Sequence, residues 1–421
     1  MNATRGGRTG LRAFHANFQT NLSIGRRIYG GTAFRACNPP RRRLADAARS
    51  STGLAHSAFV PMLARQLLAW TSVQVKGLYP GCFAIVMATG IISNALFAQG
   101  LRELSDAFLI ANVIAYPLLA ALTIARAARF TRAFWSDISN RGLVFSFFTI
   151  VAASSVLGEG IMLRGVSSIA SYLWLFALAI WVPLIYLSFS VMTFSKAKHG
   201  TTIMQDGWLL AIVGAQSLSV LGTTIAPATG SFDSAIYMLT HMLWGIGLAL
   251  YAIYVVLLIY RLFFFEIKPG DITPGLWVVM GAAAISTDAG CAILAADGDV
   301  SFLHSMRPFV IGVTLVTWAR ASLWIPFLLV LFFWKYAICR EPVTYTPLVW
   351  SAVFPVGMYS MATLRLSLAS DFVALRGVAH FVVWIAIAAW VAALAALIAA
   401  CWRDFHEFTR SGHTDTLSSP S

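Results

Sequence analysis

The protein has 421 residues, of which 58% are hydrophobic and only 11% are charged, and its mean hydropathy is +0.75. Soluble domains carry roughly a quarter of charged residues, so this composition predicts an all-α integral membrane protein. The formal net charge of +13 is concentrated in residues 1–76, which hold twelve Lys and Arg and the single acid Asp46. This uneven distribution argues against a nucleic-acid-binding protein.

The N-terminal segment, residues 1–65, is rich in Arg, Ser and Gly and lacks the apolar run of a secretory signal. Its densest basic cluster is Arg41-Arg42-Arg43. We predict a disordered basic cytoplasmic tail that contacts anionic lipids. The alternatives are a targeting arm or a true start at Met62.

Ten apolar segments of about 20 residues follow, each long enough to span a bilayer as a helix. They form one predicted transmembrane domain, residues 76–402, which a cytoplasmic C-terminal tail at 403–421 follows. The segments cover residues 78–99, 106–126, 143–162, 168–194, 207–228, 235–263, 274–296, 309–337, 347–369 and 378–402.

The positions of Lys and Arg predict the orientation of these segments. With the N-terminus inside the cell, the inner side collects 24 of the 30 basic residues. The outer side then has four, namely Arg102, Arg164, Arg307 and Arg376. An excess of positive charge marks the cytoplasmic side, so we predict a multi-pass plasma membrane protein with both termini in the cytoplasm.

Odd-numbered and even-numbered segments differ in their side chains. The odd segments carry small polar residues in mid-span, such as Ser154-Ser155 and Gln216-Ser217, whereas the even segments carry large apolar residues, such as those at 173–176. We therefore predict five helical hairpins, each with an inner odd helix beside a central pore and an outer even helix. The alternative is that the Ser and Thr residues hydrogen-bond neighbouring helices and hold them together.

The ninth segment contains Pro355 and Gly357, which predict a break in the helix. Phe354 lies immediately before that break, and Arg365 lies eleven residues further on. Eleven residues of helix return to within about 20° of the same face, about 16 Å along the axis. A large ring and a cation on one face are suited to a gated path for an anion.

Three stretches, at residues 79–93, 274–287 and 350–359, resemble the tellurite-resistance/dicarboxylate transporter family, which includes the plant slow anion channels. The resemblance covers about residues 76–402. It implies five hairpins around a pore, a homotrimer, and transport of anions or of dicarboxylates such as malate. In that family a phenylalanine before the break in the ninth helix plugs the pore, and the matching residue is Phe354. Val278-Val279 departs from the family's usual pattern, which leaves the selectivity open.

Three charged residues lie inside predicted spans, in the outer half of the bilayer: Asp288, Arg320 and Arg365. Each costs about 2.5–3.5 kcal/mol to insert, so each is a functional candidate. In one interpretation Arg365 attracts anions while Asp288 pairs with Arg320. In the other, Asp288 neutralises Arg365, and the pair supports the helix bend or titrates with transport. A third option is that Arg365 extends to the outer surface.

No metal or cofactor site is predicted. The five cysteines are scattered and are interpreted as structural. His241 and His380 are lone histidines with no carboxylate three or four residues away, so neither forms a metal site, and an interhelical hydrogen bond is the simpler role.

The leading functional hypothesis is transport of an anionic small molecule across the lipid bilayer through a phenylalanine-gated pore. The alternative is a proton-coupled dicarboxylate carrier in which Arg365 binds the substrate carboxylate. A membrane-embedded enzyme is not predicted, because the chain lacks the His-Glu-x-x-His and Gly-x-Ser-x-Gly motifs and a phosphate-binding glycine loop. A receptor or scaffold would require residues 1–65 for its function.

Overall fold

The computed structural model describes residues 66–194, 206–296 and 300–417, so the predicted tail at 1–65 lies outside the described residues. Within those ranges the regular secondary structure is helical and no strand occurs. Nine of the described helices are long and apolar enough to cross a bilayer, and the apolar helix Ala84–Ala98 is shorter, with 15 residues. The protein is the all-α integral membrane protein that its composition predicts.

Five inner helices alternate along the chain with five outer helices, and we label all helices in chain order. The short helices are α1 (66–76), α4 (Thr131–Ile138) and α10 (Ser301–Ser305). The inner helices are α2 (Ala84–Ala98), α5 (Phe148–Met162), α7 (Leu209–Ile225), α9 (Val278–Ala295) and α12 (Trp350–Ser370). The outer helices are α3 (Arg102–Arg129), α6 (Ser167–Phe194), α8 (Asp233–Phe264), α11 (Arg307–Phe333) and α13 (Ala374–Leu417).

The inner helices form a closed ring. Each contacts the next in the order α2, α5, α7, α9 and α12, and α12 returns to contact α2. Each outer helix packs on the inner helix of its own hairpin. In the most apolar parts of α5, α7, α9 and α12, between 72% and 94% of residues are buried, against 11% to 33% in the outer helices. The five predicted hairpins, with odd segments inside, are therefore confirmed.

All five inner helices run in the same direction, because an outer helix returns the chain between each inner helix and the next. A 3₁₀ turn leads into four of them, at Val144–Phe147, Asp206–Trp208, Pro274–Trp277 and Pro347–Val349. Two of these turns begin with a proline, Pro274 or Pro347. Proline is well tolerated at the first position of a helix, because the N–H that it lacks would have no partner within the helix there. α2 is shorter than the predicted segment 78–99 because residues 80–83 form turns.

α12 is one uninterrupted helix with Pro355 inside it, so the break predicted at Pro355 and Gly357 is not present. Both residues serve close packing instead. A Cβ atom added to Gly281 of α9 would lie 2.8 Å from Cγ of Pro355, and one added to Gly357 would lie 2.9 Å from Cγ2 of Ile91 in α2. Pro355 removes only the hydrogen bond to the carbonyl four residues earlier, in the first turns of α12, and the helix continues beyond it.

Two features outside the ring differ from the predicted segments. α13 continues beyond residue 402 as far as Leu417, through most of the segment predicted as a C-terminal tail. The connection between α3 and α5 contains the short helix α4, which a 2.5 Å ion pair between Arg126 and Asp137 joins to the end of α3.

Candidate functional site

Two cavities lie at opposite ends of the inner helices. The first, of about 320 Å³, is lined at the beginnings of these helices by residues such as Tyr79, Ser146, Gly207, Gly275 and Ser351. The second, of about 640 Å³, is lined at their other ends by residues such as Thr223, Ala292, Ala295, Arg365 and Leu368. We call them the inner cavity and the outer cavity, after the predicted orientation.

Phe354 lies on α12 between the two cavities. Ser351 lines the inner cavity and Arg365 lines the outer cavity, about 21 Å apart along a helix with a rise of 1.5 Å per residue. At 100° per residue, Phe354 is within about 60° of Ser351 and about 20° of Arg365, so all three residues share one side of α12. Phe354 is only 1% exposed. Its ring is therefore packed inside the protein on the side of α12 that faces both cavities.

At the outer end of the ring, Arg365 lies between two carboxylates. Its Nη1 donates a hydrogen bond to Oδ2 of Asp288 at 3.0 Å, and its Nη2 donates to Oε1 of Glu159. The amide of Asn94 donates to the other oxygen of Glu159 at 3.3 Å. We call Glu159, Asp288 and Arg365 the charge cluster. Its members come from three inner helices, α5, α9 and α12.

Of the two pairings that the sequence allowed, the structure contains the one between Asp288 and Arg365. Arg320 lies elsewhere, with its guanidinium 5.3 Å from the centre of the Tyr251 ring. The pairing of Asp288 with Arg320 is therefore not formed. The reason is geometric, because Arg320 belongs to the outer helix α11 and stacks towards α8, whereas Arg365 comes from the ring helix next to α9.

Glu159 was not predicted, although it is only 4% exposed. It lies three residues before the end of the predicted segment 143–162, where an acid commonly reaches the membrane surface. The sequence holds one signal, since Glu159 stands between Gly158 and Gly160 in a segment, 143–162, that carries no other charged residue. A Cβ atom on Gly160 would lie 2.8 Å from Oδ1 of Asn94, so this glycine allows α2 to approach the carboxylate.

Several Ser and Thr hydroxyl groups of the inner helices bond to the outer helix of the same hairpin. These bonds run from Ser219 to the Thr240 carbonyl (2.9 Å), from Thr287 to the Thr317 hydroxyl (3.0 Å) and from Ser360 to the Ala379 carbonyl (2.7 Å). Others, such as those of Thr89 and Ser155, bond to the carbonyl four residues earlier in their own helix. These contacts favour the interpretation that the small polar residues hold helices together.

Both histidines singled out in the sequence make hydrogen bonds. Nδ1 of His380 lies 3.1 Å from Oε1 of Gln99, which joins α13 to the end of α2. Nδ1 of His241 lies 2.7 Å from the carbonyl of Tyr237 in its own helix. In the part of the chain that the structure describes, no three His, Cys, Asp or Glu side chains are arranged to hold a metal ion.

Comparison with known proteins identifies relatives over the same region. The sequence profile of the family described as voltage-dependent anion channel matches residues 77–398, which include the whole ring of inner helices. An uncharacterized membrane protein of Mycobacterium tuberculosis is 36% identical over 143 residues, which are 34% of this chain and 72% of that protein. An uncharacterized transporter of Methanocaldococcus jannaschii is 22% identical over 296 residues, which are 69% of this chain and 84% of that protein.

Proposed function

The chain belongs to the voltage-dependent anion channel family and transports anions across a membrane, and we propose that small anions cross through the centre of its five-helix ring with Phe354 as the gate. Family membership supports a transport role over an enzymatic one. Small inorganic anions and dicarboxylates such as malate are the proposed substrates.

The position of Phe354 carries this proposal. The inner and outer cavities lie at opposite ends of the ring, and the buried ring of Phe354 is on the side of α12 that both cavities share. An aromatic ring there would block an ion, and its rotation to another rotamer would open the space between the cavities. The contact of Pro355 with Gly281 holds this part of α12 against α9, so the backbone beside Phe354 is well supported.

The common direction of the inner helices supports an anionic substrate. The beginnings of all five helices surround the inner cavity, and the N-terminal end of a helix carries a partial positive charge and free N–H groups. Such ends favour anions without binding them as tightly as a fixed cation would. At the opposite end, Arg307 and Arg365 line the outer cavity, and Arg365 is paired there with Glu159 and Asp288.

A proton-coupled dicarboxylate carrier is the second candidate, and the charge cluster favours it. Arg365 is a suitable partner for a substrate carboxylate, because its guanidinium group binds carboxylates through paired hydrogen bonds. In a carrier, a substrate carboxylate would compete with Glu159 and Asp288 for the hydrogen bonds of Arg365.

We further propose that the protein resides in the plasma membrane with both termini in the cytoplasm, since its basic residues favour that side. Residues 76–402 would form the transport domain. The proposed assembly is a homotrimer, in which each protomer carries its own ring and cavities.

The proposal is tested by anion flux through purified protein in liposomes, with chloride, nitrate and malate, for the parent and for Phe354→Ala. We expect passive flux to rise roughly tenfold or more, which corresponds to a barrier lower by about 1.4 kcal/mol. The matched control is Phe381→Ala on α13, because Phe381 is 68% exposed on the outside of the ring. That variant should conduct as the parent does.

A different result would identify the carrier. If the parent transports malate with saturation and a dependence on protons, and Phe354→Ala only impairs this transport, then Phe354 belongs to a substrate site and is not a gate. If Phe354→Ala and Phe381→Ala change flux equally, the proposed path past Phe354 is wrong.

A further inference from the structure

The two carboxylates of the charge cluster are not equally satisfied. Both oxygens of Glu159 accept hydrogen bonds, one from Arg365 and one from Asn94. Asp288 accepts one bond at Oδ2, while its Oδ1 is buried and has no hydrogen-bond partner among the described residues. A buried carboxylate oxygen without a donor is costly, because desolvation is not compensated by a bond.

The charge cluster also has an unbalanced charge. When both carboxylates are ionised, they share one guanidinium group, and the cluster carries a formal charge of −1 beside the outer cavity. Like charges repel more strongly where water is excluded, since the effective dielectric constant is lower there. In this state the cluster opposes the approach of the anion that the pore would conduct.

One proton would remove the excess negative charge and lower the desolvation cost of the unsatisfied oxygen, because a neutral carboxyl group is less costly to bury than a carboxylate. Transfer of a proton from hydronium to Oδ1 breaks an O–H bond of hydronium, releases water and forms the O–H bond of a carboxyl group. It breaks no existing hydrogen bond of the cluster and brings the cluster from −1 to neutral. A proton on Glu159 would have to bind an oxygen that already accepts a hydrogen bond from Arg365 or Asn94, and it would weaken that bond. The unsatisfied oxygen therefore selects Asp288 over Glu159.

We propose that Asp288 is a proton-binding site, open to the outer side of the membrane, and that anions pass the charge cluster when Asp288 is protonated. This inference rests on the proposed function, because it concerns the same path. It adds a second condition for transport at the charge cluster, whose Arg365 lies about 16 Å from Phe354 along α12.

The outer cavity provides the route for the proton. Cys291, Ala292 and Ala295 line that cavity, and they lie three, four and seven residues after Asp288 on the same side of α9. Asp288 is therefore one helical turn below the lining of the cavity. Arg365 lines the same cavity, so the proton and the anion share one opening.

Few other titratable groups surround Asp288. Around the charge cluster and the outer cavity, the described ionisable or charged side chains are Glu159 from α5, Tyr237 from α8, Cys291 from α9, Arg307 from α11 and Arg365 from α12. Arg307 donates to the carbonyl of Leu294 at 2.9 Å and lies at the rim of the cavity. α7 contributes the uncharged Thr223 and Thr224, and α2 contributes Asn94. Asp288 and Glu159 are thus the acids that face Arg365.

The first test measures nitrate flux in liposomes as a function of pH on the outer side. In the parent, flux should fall as the outer solution becomes alkaline, by up to about tenfold per pH unit, the limit for one titrating proton. Asp288→Asn, which resembles the protonated side chain, should keep flux at the acid level at all pH values. Asp106→Asn is the matched control, because Asp106 pairs with Arg164 outside the cluster and is 57% exposed. It should retain the pH dependence of the parent.

The second test observes the proton directly by infrared difference spectroscopy of the purified protein on a change of pH. The C=O stretch of a protonated carboxyl group should appear on acidification, shift when aspartate is labelled with ¹³C at its side-chain carboxyl, and vanish in Asp288→Asn. A band that shifts with labelled glutamate instead would place the proton on Glu159 and overturn the assignment. Persistence of the pH-dependent flux in Asp288→Asn would overturn the proton's role in transport.

These outcomes are separable from those for the gate. If Phe354→Ala leaves flux unchanged while Asp288→Asn abolishes the pH dependence, the gate fails and the proton site stands. If Phe354→Ala raises flux and the pH dependence survives Asp288→Asn, the gate stands and the proton site fails. If no anion flux occurs in any variant, the proposed function fails and the infrared band alone decides on the proton.

Discussion

Arg365 is a charged residue that the protein keeps inside the membrane by surrounding it with acceptors. Its two terminal nitrogens bond to carboxylates from two other inner helices, and Asn94 holds one of these carboxylates. A buried ion pair gives little net stability relative to apolar side chains, but removal of one partner leaves the other charges uncompensated. The cluster therefore ties α5, α9 and α12 together at the outer end.

We expect Arg365→Gln to lower the free energy of unfolding by about 3–5 kcal/mol, because two buried carboxylates lose their counter-charge. Thermal unfolding of the detergent-purified protein measures this. Arg320→Gln is the comparison, because Arg320 stacks on the Tyr251 ring at 5.3 Å, and the loss of a cation–π contact costs only about 0.5–2 kcal/mol.

The same experiment includes a rescue. Glu159→Gln and Asp288→Asn, added to Arg365→Gln, remove the uncompensated charges and should restore most of the lost stability. Equal destabilisation by Arg365→Gln and Arg320→Gln, with no rescue, would mean that the charge cluster does not stabilise the ring.

At the level of the helices, α12 packs closely against its neighbours in the ring, α9 and α2. Lipid is as apolar as the helix surfaces, so helices in a membrane associate through tight packing and through interhelical hydrogen bonds. Gly281 and Gly357 provide such packing against Pro355 and Ile91. Pro355, which predicts a break when α12 is considered alone, is therefore a contact residue in the assembled ring.

Gly281→Ala should reduce stability by about 1–3 kcal/mol, since its added methyl group would overlap the ring of Pro355. The backbone Cα of Pro355 would lie 3.2 Å from that methyl group, so the clash is not relieved by a side-chain rotation alone. Gly312→Ala in α11 is the control, because a Cβ atom there has no described neighbour within 4 Å. Better helix propensity should stabilise that variant by about 0.5–1 kcal/mol. Similar effects of both variants on thermal unfolding would disprove the close packing.

At the level of the whole molecule, the five hairpins place equivalent ends of all inner helices on one side of the membrane. The helix beginnings surround the inner cavity and the charge cluster lies at the other end. The two ends of the proposed transport path therefore differ in their charged groups. The orientation of the protein in the membrane decides which compartment supplies the proton to Asp288.

Cysteine labelling tests this orientation in intact cells. All five native cysteines are replaced, and Arg102→Cys, at the exposed beginning of α3, or Arg132→Cys, at an exposed position in α4, is introduced. A membrane-impermeant maleimide should label the Arg102→Cys variant from outside, and the Arg132→Cys variant only after permeabilisation, because basic connections remain in the cytoplasm. The opposite pattern would reverse the orientation and move the proton site to the cytoplasmic side.

Much of the architecture is determined by the sequence alone. Apolar segments of about 20 residues specify membrane-spanning helices, and their number and the inside–outside alternation follow from hydropathy and from the small polar residues of the odd segments. These are local properties of each segment, so a single sequence is sufficient for them. The stretches around Tyr79, Pro274 and Phe354 likewise indicate the family that the profile match shows.

Only the tertiary structure decides which side chains meet. Glu159 forms an ion pair with Arg365, the Arg320 guanidinium stacks on the Tyr251 ring, and Pro355 packs against Gly281. Each of these contacts depends on the rotation and the height of one helix relative to another across a ring that closes between α12 and α2. Hydropathy is almost unchanged by such rotations and shifts within the inner ring, because nearly every face there is buried. The pairing of charges therefore follows from packing between distant segments, which the pattern of any one segment does not contain.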